Sequence, residues 1–337
     1  MPDFIPANLV IYTAVVFILV GFVGLIWSAD RFVIGAAAIA KSFGIAPLVI
    51  GLTIVSFGTS APEVAVSIDA SIKDLGDLAI GNAIGSNLAN IGLVLGTTLL
   101  IAAIPVQAHI LRNEMPVLLG ISFVSGVFLF NGILSFWEGV ILLLSIVPVM
   151  YYLIVKQQQL VGTDEEESIE GEDMIRDMPR LHAFLWFLLG LVVLVISSRI
   201  LVVGAATTAE HFGVSTFVIG LTVIAIGTSL PELAASVMSA LKGHHDIALG
   251  NIIGSNIFNL LAVMALPGII SPPDIGPIVF NRDFMFMMGV TILLALAAFV
   301  VIHKAKSGSS SSLGRYTGLL LLFSYISYYV VLGVTDH

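Results

Sequence analysis

Two stretches decide how this chain reads: Ile50 to Glu63, IGLTIVSFGTSAPE, and Ile219 to Glu232, IGLTVIAIGTSLPE. Position 219 lies 169 beyond position 50, and the same offset lays Ala79 to Asn87, AIGNAIGSN, over Ala248 to Asn256, ALGNIIGSN. Gly35, Phe43 and Gly44 return in the same way as Gly204, Phe212 and Gly213. Solenoid repeats recur every 20 to 50 residues or so. A period this long describes two halves of one domain instead.

The solvent around those halves follows from composition. Of 337 residues, 58% are hydrophobic and 10% charged, and the mean hydropathy is +1.08. A soluble domain carries about 25% charged residues, so charge this sparse leaves lipid as the outer solvent. The net charge of −9 is mostly local. Asp164, Glu165, Glu166, Glu167, Glu170, Glu172, Asp173 and Asp177 crowd one stretch that reads as a solvated loop. Nothing points to nucleic acid or to a protein partner. The absence of cysteine excludes disulfides, thiol catalysis and cysteine metal sites. The first residues lack the positive region of a cleaved signal peptide, so the first apolar segment is expected to remain a span.

A helix crosses the hydrocarbon in about 20 residues. Apolar segments of that size or longer fall at 8–40, 46–73, 77–101, 113–132 and 134–155, then at 182–212, 215–242, 246–269, 280–302 and 315–333. The expected fold is therefore an all-α membrane protein with ten transmembrane helices in two five-helix repeats. An odd number of spans per half inserts the second half upside down. The first repeat takes 1–155 with its motif region at 50–96; an acidic linker takes 156–181; the second repeat takes 182–337 with its motif region at 219–265. Positive charge sets the orientation. With the N-terminus outside, the inner connections hold Lys41, Arg112, Lys156, Arg176, Arg180, Lys242, Lys304, Lys306 and Arg315, and the outer ones only Lys73 and Arg282. Both termini then face outward, and the linker is cytoplasmic. Asp30 and Arg199 are repeat equivalents near the inner interface, where a salt bridge between them is conceivable.

Glu63 and Glu232 lie inside apolar spans. A lone charge at mid-bilayer costs about 2.5–3.5 kcal/mol on insertion scales, so each must face a proton, a partner or an ion. Protonated acids making structural hydrogen bonds are the plain alternative, but no intramembrane Lys or Arg occupies the matching spans to neutralise them. Thr59 stands four residues before Glu63 on the same helix face, Ser60 adds a hydroxyl, and Thr228, Ser229 and Glu232 repeat the pattern. Pro62 and Pro231 cannot bond back to the carbonyls of Gly58 and Gly227. Carbonyls near Ser56 and Ala225 are thereby expected to loosen. Broken backbone at membrane depth is tolerated where it lines a cavity or is buried in protein.

The second motif runs Gly81-Asn82-x-x-Gly85-Ser86-Asn87-x-x-Asn90 and recurs from Gly250 to Asn259. Ser86 with Asn90, and Ser255 with Asn259, share a face. Small residues allow helices to approach closely and polar ones to join them, so packing competes with ligation as a reading, most strongly at Asn82, Asn87, Asn251 and Asn256. Together four segments offer a cage of oxygen ligands only. Calcium takes about 6–8 oxygens at about 2.3–2.6 Å, and two glutamates match one divalent cation in charge. Hydroxyls, amides and carbonyls add neutral positions for sodium. No cofactor is expected; calcium and sodium are read as cargo. His244 and His245 read as a solvated inner turn, Asp69, Asp74 and Asp77 as an outer acidic rim or helix cap, and the Ser-rich run through Ser312 as a flexible linker.

These motifs resemble the two alpha-repeats of the calcium/cation antiporter superfamily, and most closely the prokaryotic sodium/calcium exchangers. The resemblance covers nearly the whole chain. It implies ten helices in inverted repeats, ion sites between spans 2, 3, 7 and 8, and a sliding gate formed by spans 1 and 6. Carried over by motif position, Glu63 and Glu232 bind calcium and also sodium, and Thr59 and Thr228 contribute to the calcium and flanking sites. Ser60, Ser86, Ser229 and Ser255 ligate sodium with the carbonyls of Ser56 and Ala225; Asn90 and Asn259 fill the remaining positions. Several relatives hold an aspartate at one of those last two positions. Here both are asparagine, which leaves the sodium count, a potassium requirement and sodium against proton drive open.

The function expected is exchange of sodium for calcium across a prokaryotic inner membrane by alternating access, extruding calcium. Two bare glutamates in low dielectric repel each other, which opposes switching without cargo. A proton/calcium antiporter is the alternative within transport, and a cation channel the alternative from another class. An enzyme is not expected, since no nucleophile–base set or nucleotide loop is present.

Overall fold

The computed structural model describes residues 7–160, 178–214, 223, 225–305 and 312–335. The first half runs as α1 (Ala7–Phe43), α2 (Pro47–Thr59), α3 (Ala61–Ile72), α4 (Gly76–Ile101), α5 (Ile110–Leu129) and α6 (Phe136–Leu160). The second half runs as α7 (Arg180–His211), α8 (Ala225–Thr228), α9 (Leu230–Leu241), α10 (His245–Ile270), α11 (Gly276–Lys304) and α12 (Arg315–Thr335). Eight described helices are long and apolar enough to cross a bilayer, or nine when the bent pair α2–α3 counts as one span. The span expected at 215–242 falls partly outside the described residues, as does the acid-rich part of the linker.

Helix ends follow the repeat closely. Gly44 and Gly213 both adopt positive φ, 63° and 78°. At each, the next amide reaches back five residues, Ile45 N to Ala40 O at 2.9 Å and Val214 N to Ala209 O at 3.0 Å. Left-handed glycine closing a helix in this way satisfies its last carbonyls, which explains why that glycine recurs. Asp74 (φ 56°) and Gly243 (φ 77°) form a second equivalent pair, 169 residues apart. Asp74 holds this costly conformation with its carboxylate accepting from Ser271 Oγ at 2.8 Å. Asp69 makes a surface pair with Lys73, and Asp77 accepts from the amide of Leu78.

Helices α1 and α7 lie against each other through glycine. A Cβ on Gly190 would stand 2.5 Å from the backbone nitrogen of Phe32. Phe32 and Phe187 stack at 4.9 Å beside that contact. The other face of α1 presents Tyr12, Val16, Leu19, Phe22 and Val23 outward, as a lipid-facing helix does. With 37 residues, α1 is about 55 Å long at 1.5 Å per residue, longer than the roughly 30 Å hydrocarbon core, an excess that tilt or extension past the core accommodates. Helices α4 and α10 are the most enclosed. Gly51 on α2 meets Gly250 on α10 so closely that a Cβ on Gly250 would lie 2.6 Å from Leu48 O.

The halves are also tied outside the hydrocarbon. Ile104–Pro105 (β1) pairs antiparallel with Ser312–Leu313 (β2). The far end of the Ser-rich run is thus a strand rather than free linker, because the backbone of Ile104 and Pro105 pairs with it. Asp30 pairs with Lys242 at 2.6 Å, not with Arg199, whose side chain is exposed. His244 caps the start of α10 and is half-buried, so it is less solvated than a plain turn residue. Burial and the neighbouring Lys242 and His245 charges push its imidazole pKa down.

Candidate functional site

The helix break that proline predicts falls at Ser60 and Ser229. Both have left helical geometry, φ/ψ −80°/6° and −87°/6°. A proline then restarts each helix in its first turn, where a missing amide hydrogen costs nothing. Glu63 and Glu232 sit in those same first turns, and each side chain is 1% exposed. A helix N-terminus favours a negative group, so each carboxylate is placed where backbone dipoles offset part of its burial.

Bonds across the two halves hold this centre. Ser60 Oγ donates to Glu232 Oε1 at 3.1 Å, and Thr59 Oγ1 to Asn251 Oδ1 at 3.1 Å. Asn251 in turn donates to the carbonyl of Glu232 at 3.4 Å and to Ser236 Oγ at 2.9 Å. Its repeat mate Asn82 donates to the carbonyl of Glu63 at 3.1 Å. These two asparagines therefore brace the glutamate turns, the packing role that the sequence favoured for them. Gly254 lets α10 approach α2 until a Cβ there would stand 2.7 Å from Ser56 Oγ.

Much polar capacity around this centre is unused. Among the described residues, both oxygens of Glu63 and Oε2 of Glu232 are buried without a hydrogen-bond partner, and so are both amide atoms of Asn90 and Asn259 and the hydroxyls of Ser229 and Ser255. A buried polar atom without a partner costs about 1–3 kcal/mol, and more where it carries charge. The unpartnered atoms of Glu63, Glu232, Ser229 and Ser255 are oxygens, the atom type that hard cations take as ligands. Asn90 and Asn259 each open a π-helical turn, Asn90–Leu95 and Asn259–Val263. Such turns concentrate at functional sites. Ser86 is 4% exposed and Thr59 is fully buried, whereas Thr228 is half-buried.

The first-half carbonyl at Ser56 differs from the loosened acceptor that proline suggests. It accepts the Ser60 amide at 3.0 Å and the Thr59 hydroxyl at 3.3 Å, while Ser56 Oγ bonds back to Leu52 O at 2.8 Å. In the second half the Ser229 amide reaches Ile226 O, at 3.1 Å. One feature escaped the motif reading altogether. Glu114 and Asp283 are buried carboxylates at equivalent positions, 169 residues apart, in π-helical turns that open α5 and α11. Glu114 faces His109 at 3.3 Å, and Asp283 faces Arg282 at 2.7 Å and the hydroxyl of Tyr328 at 3.0 Å. The same offset would have flagged them.

The oxygens gathered here, two carboxylates among hydroxyls and amides in a helical membrane protein, are of the kind that suits a hard cation. A sequence profile described as "Sodium/calcium exchanger protein" matches residues 13–155 and again 182–334, and the chain belongs to that family as a prokaryotic calcium/cation antiporter. It is 43% identical over 319 residues to CaxA of Alkalimonas amylolytica, covering 95% of this chain and 98% of that one. To "Inner membrane protein YrbG" of Escherichia coli it is 40% identical, over 95% and 96% of the two chains. To "Sodium/calcium exchanger MaX1" of Methanosarcina acetivorans it is 31% identical, over 94% and 97%. Among solved structures, the sodium-calcium exchanger NCX_Mj soaked with 10 mM Na+ and zero Ca2+ superposes with a TM-score of 0.79 at 29% identity, covering 95% of this chain and 99% of that one. By family the chain is a transporter, not an enzyme.

Proposed function

We propose that this antiporter exchanges several sodium ions for one calcium ion by alternating access, extruding calcium across a prokaryotic inner membrane. Its ten spans form two inverted five-helix repeats, with both termini outside and the linker 156–181 in the cytoplasm. Glu63 and Glu232 hold calcium and, in turn, sodium. Thr59, Thr228, Ser60, Ser229, Ser86, Ser255, Asn90 and Asn259 supply neutral oxygens, with the carbonyls of Ser56 and Ala225. The observation that carries the reading is the unmet acceptor capacity at the centre: three of the four glutamate oxygens lack a hydrogen-bond donor among the described residues. The names of the relatives, one a sodium/calcium exchanger and one an inner membrane protein, support the choice of ions and membrane.

The bond from Ser60 to Glu232 supports a mechanism of mutual exclusion. The first half's Ser60 and Thr59 stand beside the second half's Glu232 and Asn251, so cations bound at either half compete for shared oxygens. Calcium's exit then permits sodium's entry, and neither empty carboxylate favours the crossing. The Ser56 carbonyl joins the ligand set on release of the Ser60 amide.

The test is uptake of calcium-45 by proteoliposomes loaded with sodium, potassium or protons, using wild type, Glu63→Gln and Glu232→Gln. Uptake that needs internal sodium and disappears in both variants is the expected result. A pH gradient sufficing alone makes the protein a proton/calcium antiporter, flux without a counter-ion makes it a channel, and full uptake in both variants removes the site.

A further inference from the structure

A charged cluster on the exposed side of α1 is separate from the cation site. Arg31 lies on α1 with its side chain 36% exposed. Its guanidinium carbon stands 5.0 Å from the ring centre of Trp186 on α7 and 5.9 Å from that of Trp27 one turn back on α1. The two indoles meet edge to face at 6.4 Å. Asp30 is 3.6 Å from Arg31, but Lys242 holds the same carboxylate at 2.6 Å. Two cations thus share one anion, and Arg31 Nε is buried without a partner among the described residues.

The depth of this cluster follows from Lys242, which caps the end of α9 just before the turn into α10. The pair with Asp30 therefore marks a boundary between membrane and water, and Arg31 stands at that level. Ile26, Phe22 and Val23 on the adjoining turns are exposed and apolar, so the flank below it meets acyl chains. Beyond it, Arg180 stacks on Phe43 and donates to Ser42 O, which adds positive charge to the same end. Tryptophan collects at the headgroup level of bilayers. A guanidinium stacks on aromatic faces while its edge presents paired donors that match a phosphate.

We infer that Arg31, Trp27 and Trp186 form a site for the phosphate of an anionic phospholipid, its headgroup against the guanidinium and its chains along α1. The excess positive charge selects an anionic lipid over a zwitterionic one. The site shares no residue with the cation centre, and it stands or falls independently of the ions exchanged.

The chain has three tryptophans, and Trp137→Phe leaves only the two in the cluster. That variant, in phosphatidylcholine vesicles doped with chain-brominated phosphatidylglycerol, is expected to lose tryptophan fluorescence at a mole fraction about five- to tenfold lower than with brominated phosphatidylcholine. Arg31→Gln in the same background is expected to abolish that preference, and Arg31→Lys to retain part of it. Inorganic phosphate in the buffer is expected to leave the quenching unchanged. Equal quenching by the two brominated lipids, which needs no change at Arg31, overturns the inference. So does an Arg31→Gln protein with its preference intact, or a preference erased by inorganic phosphate, which would assign the site to a soluble anion.

Discussion

Replacing Asn251 by alanine should damage the protein far more than the same change at Asn82, although the two occupy equivalent positions in the repeat. Asn251 is fully buried and makes three hydrogen bonds, to Thr59, Ser236 and the Glu232 carbonyl. Asn82 is half-buried and makes one, to the Glu63 carbonyl. In Asn251→Ala the Ser236 hydroxyl and Glu232 carbonyl lose the amide that donates to them in a dry interior. The Thr59 hydroxyl keeps only its 3.3 Å bond to Ser56 O. Each orphaned group costs about 1–3 kcal/mol, and the Glu232 contact, long at 3.4 Å, belongs at the low end. The total is about 2–5 kcal/mol, against about 0.5–1.5 kcal/mol for one net bond lost in Asn82→Ala. Thermal unfolding of the purified protein in detergent, followed by tryptophan fluorescence, should show a Tm loss at least twice as large for Asn251→Ala. Calcium half-saturation should rise more in that variant as well, because Glu232 loses its brace. Equal losses in the two variants would refute the reasoning, since the bonds around Asn251 would then count for nothing.

Acidification should raise the calcium concentration needed for half-maximal transport, since each proton on Glu63 or Glu232 removes a ligand charge; a flat profile between pH 8 and 6 in initial-rate assays would contradict this. Asp74→Gly should leave Tm nearly unchanged, whereas Asp74→Val should cost about 1–2 kcal/mol for a branched residue at positive φ, measured by the same unfolding curves. Gly190→Leu should prevent α1 and α7 from closing, seen as loss of monodisperse protein on size exclusion. Gly289→Leu, with open space around its Cβ position, should behave as wild type.

The sequence located the helices because lipid imposes long apolar runs with sharp polar ends, and α4, α6 and α12 begin and end within a few residues of the expected limits. It located the break at Ser60 because proline leaves a carbonyl without its amide. It could not foretell that the Ser56 carbonyl would recruit the Ser60 amide and Thr59 hydroxyl, since that depends on how tightly the turn closes. Asp30 was matched with its repeat equivalent Arg199, but a one-dimensional offset finds related positions, not touching ones, and Lys242 is the residue that the packing of α1 on α9 brings near. Glu114 and Asp283 went unread for the opposite reason. Their neighbours, His109 on one side and Arg282 with Tyr328 on the other, differ between halves, so no shared motif surrounds them.

The π-helical turns carry a chronology. Those opening at Asn90 and Asn259 are separated by the repeat offset, and so are those opening at Ile110 and Val279. A π-turn spaces its hydrogen bonds one residue wider than the α-helix around it, the local signature of an inserted residue. Two such insertions at matching places in both halves are most simply one event each, older than the duplication. Asn82 and Asn251, which keep their positions but differ in burial and in hydrogen bonds, show that such shared geometry outlasts the contacts around it.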